Sequence, residues 1–134
     1  MRPNNTSVLL IYTGGTIGMF ENPETGALEN FDFEQLQKQV PELQKFPISI
    51  DSYQFNPPID SSDMNPDAWR KIVKVVSDNY DRYTGFVVLH GTDTMAYTAS
   101  ALSYLIQGSP KPIVLTGSQQ PMTNPFTDAR LNLY

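Results

Sequence analysis

Four times along this chain a short apolar run ends in a loop of glycines, hydroxyls and carboxylates, and that repetition limits the folds open to it. Val8-Leu9-Leu10-Ile11-Tyr12 runs into Thr13-Gly14-Gly15-Thr16, and Phe86-Val87-Val88-Leu89 into His90-Gly91-Thr92-Asp93-Thr94. Ile113-Val114-Leu115 leads to Thr116-Gly117-Ser118-Gln119. A less regular run, Ile48 to Phe55, passes through Pro57-Pro58 into Asp60-Ser61-Ser62-Asp63-Met64. Unbroken β-branched and aliphatic runs of this length read as strands buried on both faces, the habit of parallel sheets.

Helical patterns fill the gaps between the runs. Asn65-Pro66-Asp67 combines a cap, a first-turn proline and a first-turn acid, and leads into Trp69, Ile72, Val73, Val76 and Tyr80 on one face. Asp32 and Gln35 open a short helix that Pro41 closes. From Thr94, the residues Met95, Ala99, Leu102, Leu105 and Ile106 repeat at helical spacing before Gly108. Asp128 reads as the cap of a last helix carrying Leu131 and Leu133. Strand and helix in alternation predict a doubly wound α/β domain of flavodoxin-like type, with a mainly parallel sheet and helices on both faces. Residues 17–30, with Asn22-Pro23 and Thr25-Gly26, are too turn-rich for a helix and suggest a hairpin or mobile flap beside the first loop.

Composition narrows the chemistry. The 134 residues suit one domain, with 40% hydrophobic and 17% charged residues, as in an ordinary globular chain. Nine basic against 14 acidic residues, a net charge of −5, argue against a nucleic-acid surface. No cysteine is present, so disulfides, thiol nucleophiles and zinc–thiolate sites are excluded. Met1 to Ser7 lacks the apolar core of a signal peptide, and no run reaches membrane-spanning length, which makes the cytoplasm the expected location.

What remains at the loop ends is hydroxyl and carboxylate chemistry. A threonine hydroxyl attacks a carbonyl only with a proton acceptor nearby, and backbone amides freed by glycine can receive the oxyanion. Thr13 to Thr16 could equally be a tight turn or a phosphate cradle, though it lacks the ending of a nucleotide loop. Asp93 or Thr94 could cap the following helix, and Asp60 to Asp63 could be a plain turn. His90, the single histidine, is expected to be structural, and no metal site is expected, since no second soft ligand accompanies it.

Together, Thr13-Gly14-Gly15-Thr16-Ile17-Gly18, Asp60-Ser61-Ser62-Asp63-Met64, His90-Gly91-Thr92-Asp93-Thr94-Met95-Ala96-Tyr97 and Thr116-Gly117-Ser118-Gln119 closely resemble the bacterial L-asparaginase family. The serine pair and the Met-Ala-Tyr extension look most like its type I, cytoplasmic branch. The resemblance implies hydrolysis of L-asparagine to L-aspartate and ammonia without a cofactor. It implies Thr16 as nucleophile, and Thr92 in a second catalytic group with Asp93 contacting the substrate amine. Asp60, Ser61 and Ser62 match the segment for the α-carboxylate, and Ser118 a position lining the amide end.

Family members usually carry a tyrosine in the flap, where this chain reads Gly26-Ala27-Leu28. The lysine that partners Thr92 lies beyond Tyr134 in the family's order, and Lys71, Lys74 and Lys111 are wrongly placed to replace it. The resemblance therefore implies the larger part of an N-terminal domain, inactive by itself. The smaller C-terminal domain would complete a neighbour's site in a homodimer or homotetramer. No nucleic-acid or membrane partner is expected. Two rival readings are an ammonia-supplying component of a tRNA-dependent amidotransferase and a non-catalytic amino-acid-binding module.

Overall fold

The computed structural model describes residues 6–30, 35–36, 38 and 40–134. Four strands, β1 (Ser7–Tyr12), β4 (Ser49–Gln54), β5 (Gly85–Leu89) and β6 (Ile113–Thr116), form one sheet in the order β4-β1-β5-β6. Every pairing in it is parallel, with Leu10 opposite both Ser52 and Val87. The four apolar runs thus end along one edge, and their loops meet there.

Side-chain alternation splits the core into two layers. Leu9 and Ile11 of β1, with Phe86 and Val88 of β5, face α1 (Pro66–Asp78) and α2 (Met95–Leu105), where Ile72, Val75, Val76 and Leu102 cover them. Leu10, Tyr12 and Leu89 point to the opposite face and meet Leu36, Val40, Leu43, Met122 and Ala129. Because both faces are covered, the central strands β1 and β5 read as unbroken apolar runs. The outer strands depart from the expected two-sided burial, β4 being polar and mostly exposed and β6 only half-buried, because each has a neighbour on one side alone. Each fully buried aliphatic side chain contributes roughly 1.5–3 kcal/mol.

α1 starts as its sequence predicts, with Asn65 Oδ1 accepting from Ala68 N at 3.1 Å and Pro66 in the first turn. The chain between β1 and β4 carries an antiparallel hairpin, β2 (Met19–Glu21) with β3 (Leu28–Asn30). Asn22 shapes its turn by accepting from the backbone N–H of Glu24 and, at its carbonyl, from Gly26. Residues 17–30 therefore contain a hairpin. The expected helix start at Asp32 lies outside the described residues, and Pro41 opens a 3-10 turn, Pro41–Lys45.

Two local expectations need correction. On α2, Leu105 is 51% exposed while Thr98 is fully buried. The helix is apolar around most of its circumference, so periodicity alone does not choose its inner face. Asp128 heads α3 (Ala129–Asn132) but makes no side-chain cap bond. Its carboxylate instead accepts from Gln119 N and Gln120 N, tying the loop after β6 to the start of α3.

Candidate active site

The strand order places a topological switch point between β1 and β5: from β1 the chain crosses to β4, then returns to lay β5 on β1's other side. Loops diverge at such a point and leave a crevice beyond the strands' carboxyl ends. Thr13, fully buried, holds the edge of that crevice together. Its N–H and Oγ1 both donate to Leu89 O, at 3.0 and 2.9 Å, and its carbonyl accepts from Ile59 N at 2.7 Å. One residue thereby links the ends of β1 and β5 to the loop after β4.

The loops then pack backbone against backbone, which explains the glycines. A Cβ on Gly15, whose φ is +93°, would stand 2.5 Å from Gly91 N. One on Gly91 would stand 2.5 Å from Ser61 Oγ. Removing those carbons lets the peptides before Thr16 and Thr92 approach each other and the Asp60–Asp63 segment. Tyr12 Oη donates to Gly15 O at 3.2 Å, and Thr94 Oγ1 to Ser61 O at 2.6 Å. Thr94 precedes α2 without capping it through its side chain, because that hydroxyl is spent on the neighbouring loop.

Between these loops lies a cleft of about 210 Å³, walled by Thr16, Asp60, Ser61, Thr92 and Asp93, with Met19 and Ile59 adding apolar surface. It suits a ligand smaller than the drug-sized molecules that fill ~300–1,000 Å³ pockets. Thr16 opens a 3-10 turn, Thr16–Gly18, directly after Gly15. Among the described residues, Thr16 Oγ1, Thr92 Oγ1 and the Asp93 carboxylate make no hydrogen bond, although many neighbouring polar groups on these loops do.

Not every residue singled out in the sequence lines this cleft. Asp60 accepts from Ser62 N at 2.9 Å and Ser62 Oγ at 2.8 Å, capping the 3-10 turn Ser61–Asp63. Those two donors, the backbone one foremost, hold its carboxyl below the usual carboxylate range. Ser62 is consequently turned into that cap, off the wall. Ser118 is buried one loop away, and its Oγ donates to Gln120 O at 2.8 Å. The lysines are elsewhere: Lys71 lies over the Phe55 ring, Lys74 pairs with Asp78, and Lys111 reaches Tyr80 O.

His90 is fully buried, with Nδ1 2.6 Å from Gly91 O and Nε2 2.8 Å from Thr98 Oγ1. Burial pushes its imidazole below the usual histidine range. Trp69 Nε1 donates to the same Thr98 oxygen at 3.0 Å. Periodicity marks Trp69 as core but says nothing of Thr98, a polar residue on an apolar helix. Nor does any sequence signal mark Tyr12 and Met19 as neighbours of the site. Among the described residues, no group of three or more His, Cys, Asp or Glu side chains could hold a metal ion, and no helix is long and apolar enough to cross a membrane.

A doubly wound α/β domain with a hydroxyl- and carboxylate-lined cleft at its switch point defines a candidate small-molecule site. Comparison makes this specific. The N-terminal asparaginase family model matches residues 7–134, and the chain belongs to the asparaginase family. It is 42% identical over 132 residues to L-asparaginase 1 of Escherichia coli (strain K12), covering 95% of this chain and 38% of that protein. The crystal structure of L-asparaginase I from Vibrio cholerae superposes with a TM-score of 0.84 at 41% identity, over 96% of this chain and 39% of that one. A glutamyl-tRNA(Gln) amidotransferase component of Aeropyrum pernix is 43% identical over 139 residues, covering 99% of this chain and 31% of that protein. The chain thus spans well under half the length of these relatives.

Proposed function

We propose that the protein to which this chain belongs hydrolyses L-asparagine to L-aspartate and ammonia through an ester on Thr16. The observation that carries the reading is the pair of unbonded threonine hydroxyls, Thr16 and Thr92, beside the unpaired Asp93 carboxylate at the switch-point cleft. Groups left without internal partners, among loops otherwise well bonded, are available to a ligand. Relatives named L-asparaginase support the same assignment.

In this reading Asp93 takes the substrate's α-ammonium, and the Asp60–Ser62 segment receives the α-carboxylate through Ser61 and backbone donors. Thr16 Oγ1 attacks the side-chain amide carbon as its proton leaves towards a neighbouring base. The tetrahedral oxyanion collapses, the C–N bond breaks, and nitrogen leaves as ammonia after gaining a proton. Water then attacks the ester, with Thr92 in the second catalytic group, and returns Thr16 with aspartate.

Several parts of the proposal lie outside the 134 residues. We assign these residues to the larger part of an N-terminal domain. A lysine partner for Thr92 and a smaller C-terminal domain would come from elsewhere in the protein, which would act as a homodimer or homotetramer in the cytoplasm. Ser118 keeps a proposed place at the amide end, which requires its hydroxyl to turn away from Gln120.

Acid-quenching the whole protein during turnover of labelled asparagine, followed by peptide mapping, tests the chemistry. Label on the peptide containing Thr16 supports the proposal, and label confined to the peptide with Thr92 contradicts it. The likeness to the Aeropyrum pernix amidotransferase component supports a second reading, in which the ammonia is passed to a partner. Asparagine-dependent ammonia release that needs neither partner nor tRNA decides for the first.

A further inference from the structure

Behind Gly91, a chain of hydrogen bonds runs through side chains that do not line the cleft. Trp69 Nε1 reaches Thr98 Oγ1 at 3.0 Å, Thr98 Oγ1 lies 2.8 Å from His90 Nε2, and His90 Nδ1 lies 2.6 Å from Gly91 O. Thr98 and His90 are both fully buried. A carbonyl oxygen only accepts, so Nδ1 carries the imidazole proton. An indole N–H only donates, so the Thr98 oxygen accepts there and turns its own hydrogen to Nε2. Donation therefore runs one way, from Trp69 to the Gly91 carbonyl.

That carbonyl belongs to the peptide whose N–H is Thr92's own. The only cis peptide among the described residues is Asn56–Pro57, so this one is trans, with its C=O and N–H pointing in opposite directions. Tying Gly91 O inward to a buried ring turns the Thr92 N–H outward, where Gly91 and Thr92 border the cleft. Thr92 N donates to no described residue.

We infer that Thr98 and His90 are positioning residues for the reaction, with Thr98 anchoring the imidazole that aims the Gly91–Thr92 peptide at the substrate. The inference rests on the reading of this cleft as the active site. Simple packing would ask only for Thr98's shape, which valine reproduces without the hydroxyl. Aiming a backbone donor asks for the hydroxyl itself, and serine keeps that.

The experiment compares Thr98→Val and Thr98→Ser in the whole protein, reading kcat and KM for asparagine, with imidazole 15N spectra of His90 assigned by their loss in His90→Asn. Thr98→Val is expected to lower kcat by ~10- to 100-fold, the scale of a small misplacement, with KM within about twofold. Thr98→Ser should restore most of kcat. Wild-type kcat in Thr98→Val, or equal losses in both variants, would overturn the inference. Should the valine variant not fold, His90→Asn, whose amide N–H can reach Gly91 O, is expected to exceed His90→Gln in kcat; equality of the two overturns it. The 15N spectrum is independent of turnover: a neutral ring protonated at Nδ1 is expected, and one protonated at Nε2 refutes the relay even if the cleft proves catalytic. A wild-type protein that releases no ammonia yet shows the Nδ1–H ring would condemn the active-site reading and the positioning role with it, while leaving the hydrogen-bond relay itself intact.

Discussion

Asp93 stands exposed at the mouth of the cleft, with no hydrogen-bonding partner among the described residues. If it binds the α-ammonium, Asp93→Ala should raise KM for asparagine much more than for an amide lacking that ammonium, by ~10-fold or more, because a charge-assisted hydrogen bond contributes about twice a neutral one. Steady-state kinetics on the two substrates check this, and equal losses would reduce Asp93 to a turn residue. His90 makes a prediction about pH. Its folded-state affinity for protons is lowered by burial, so the unfolded chain takes up a proton first as pH falls through about 6.5. Stability from the neutral ring is therefore complete above that pH and declines below it. The stability difference between wild type and His90→Asn should shrink between pH 7.5 and 5.5 in thermal unfolding, and an unchanged difference would show that the ring does not titrate as described. The sequence alone could show that His90 was the single histidine and hence a poor metal ligand. It could not show that Thr98 and Trp69, 29 positions apart, would meet over it.

At the scale of elements, the loops act as one unit because their backbones touch. Gly15→Ala forces a side chain onto a φ of +93° and against Gly91 N, which should destabilise the fold by about 2–4 kcal/mol. Denaturant unfolding measures this, and a change under about 0.5 kcal/mol would show that the loops yield easily. Asn65→Ala should cost about 1 kcal/mol by removing the α1 cap. That cap was legible because asparagine, proline and acid stand in the order a helix start requires. Asp128 offered a cap residue without the proline and acid, and two amides of a loop folded beside it, Gln119 and Gln120, hold its carboxylate. Local signals fail where a partner arrives from another part of the fold. Leu105 fails for a related reason: a helix with apolar residues on several sides does not itself say which side faces the sheet.

For the whole molecule, the decisive property is the strand order β4-β1-β5-β6, which brings Thr16, Ser61, Thr92 and Asp93 to one crevice. Alternating apolar runs and helices made a parallel sheet readable, and a parallel sheet sends all its strand ends to one edge. The order itself follows from the crossovers, and the resemblance to a family supplied what periodicity could not. Neither periodicity nor the resemblance indicates that the hydroxyls of Ser62 and Ser118 are each turned into their own loop. The central claim is that Thr16 is the nucleophile, and Thr16→Ala in the whole protein tests it most directly. Asparagine turnover should fall by at least ~10³-fold while aspartate binding is largely kept, since only the attacking oxygen is lost. A variant that keeps a tenth of wild-type turnover would contradict the claim.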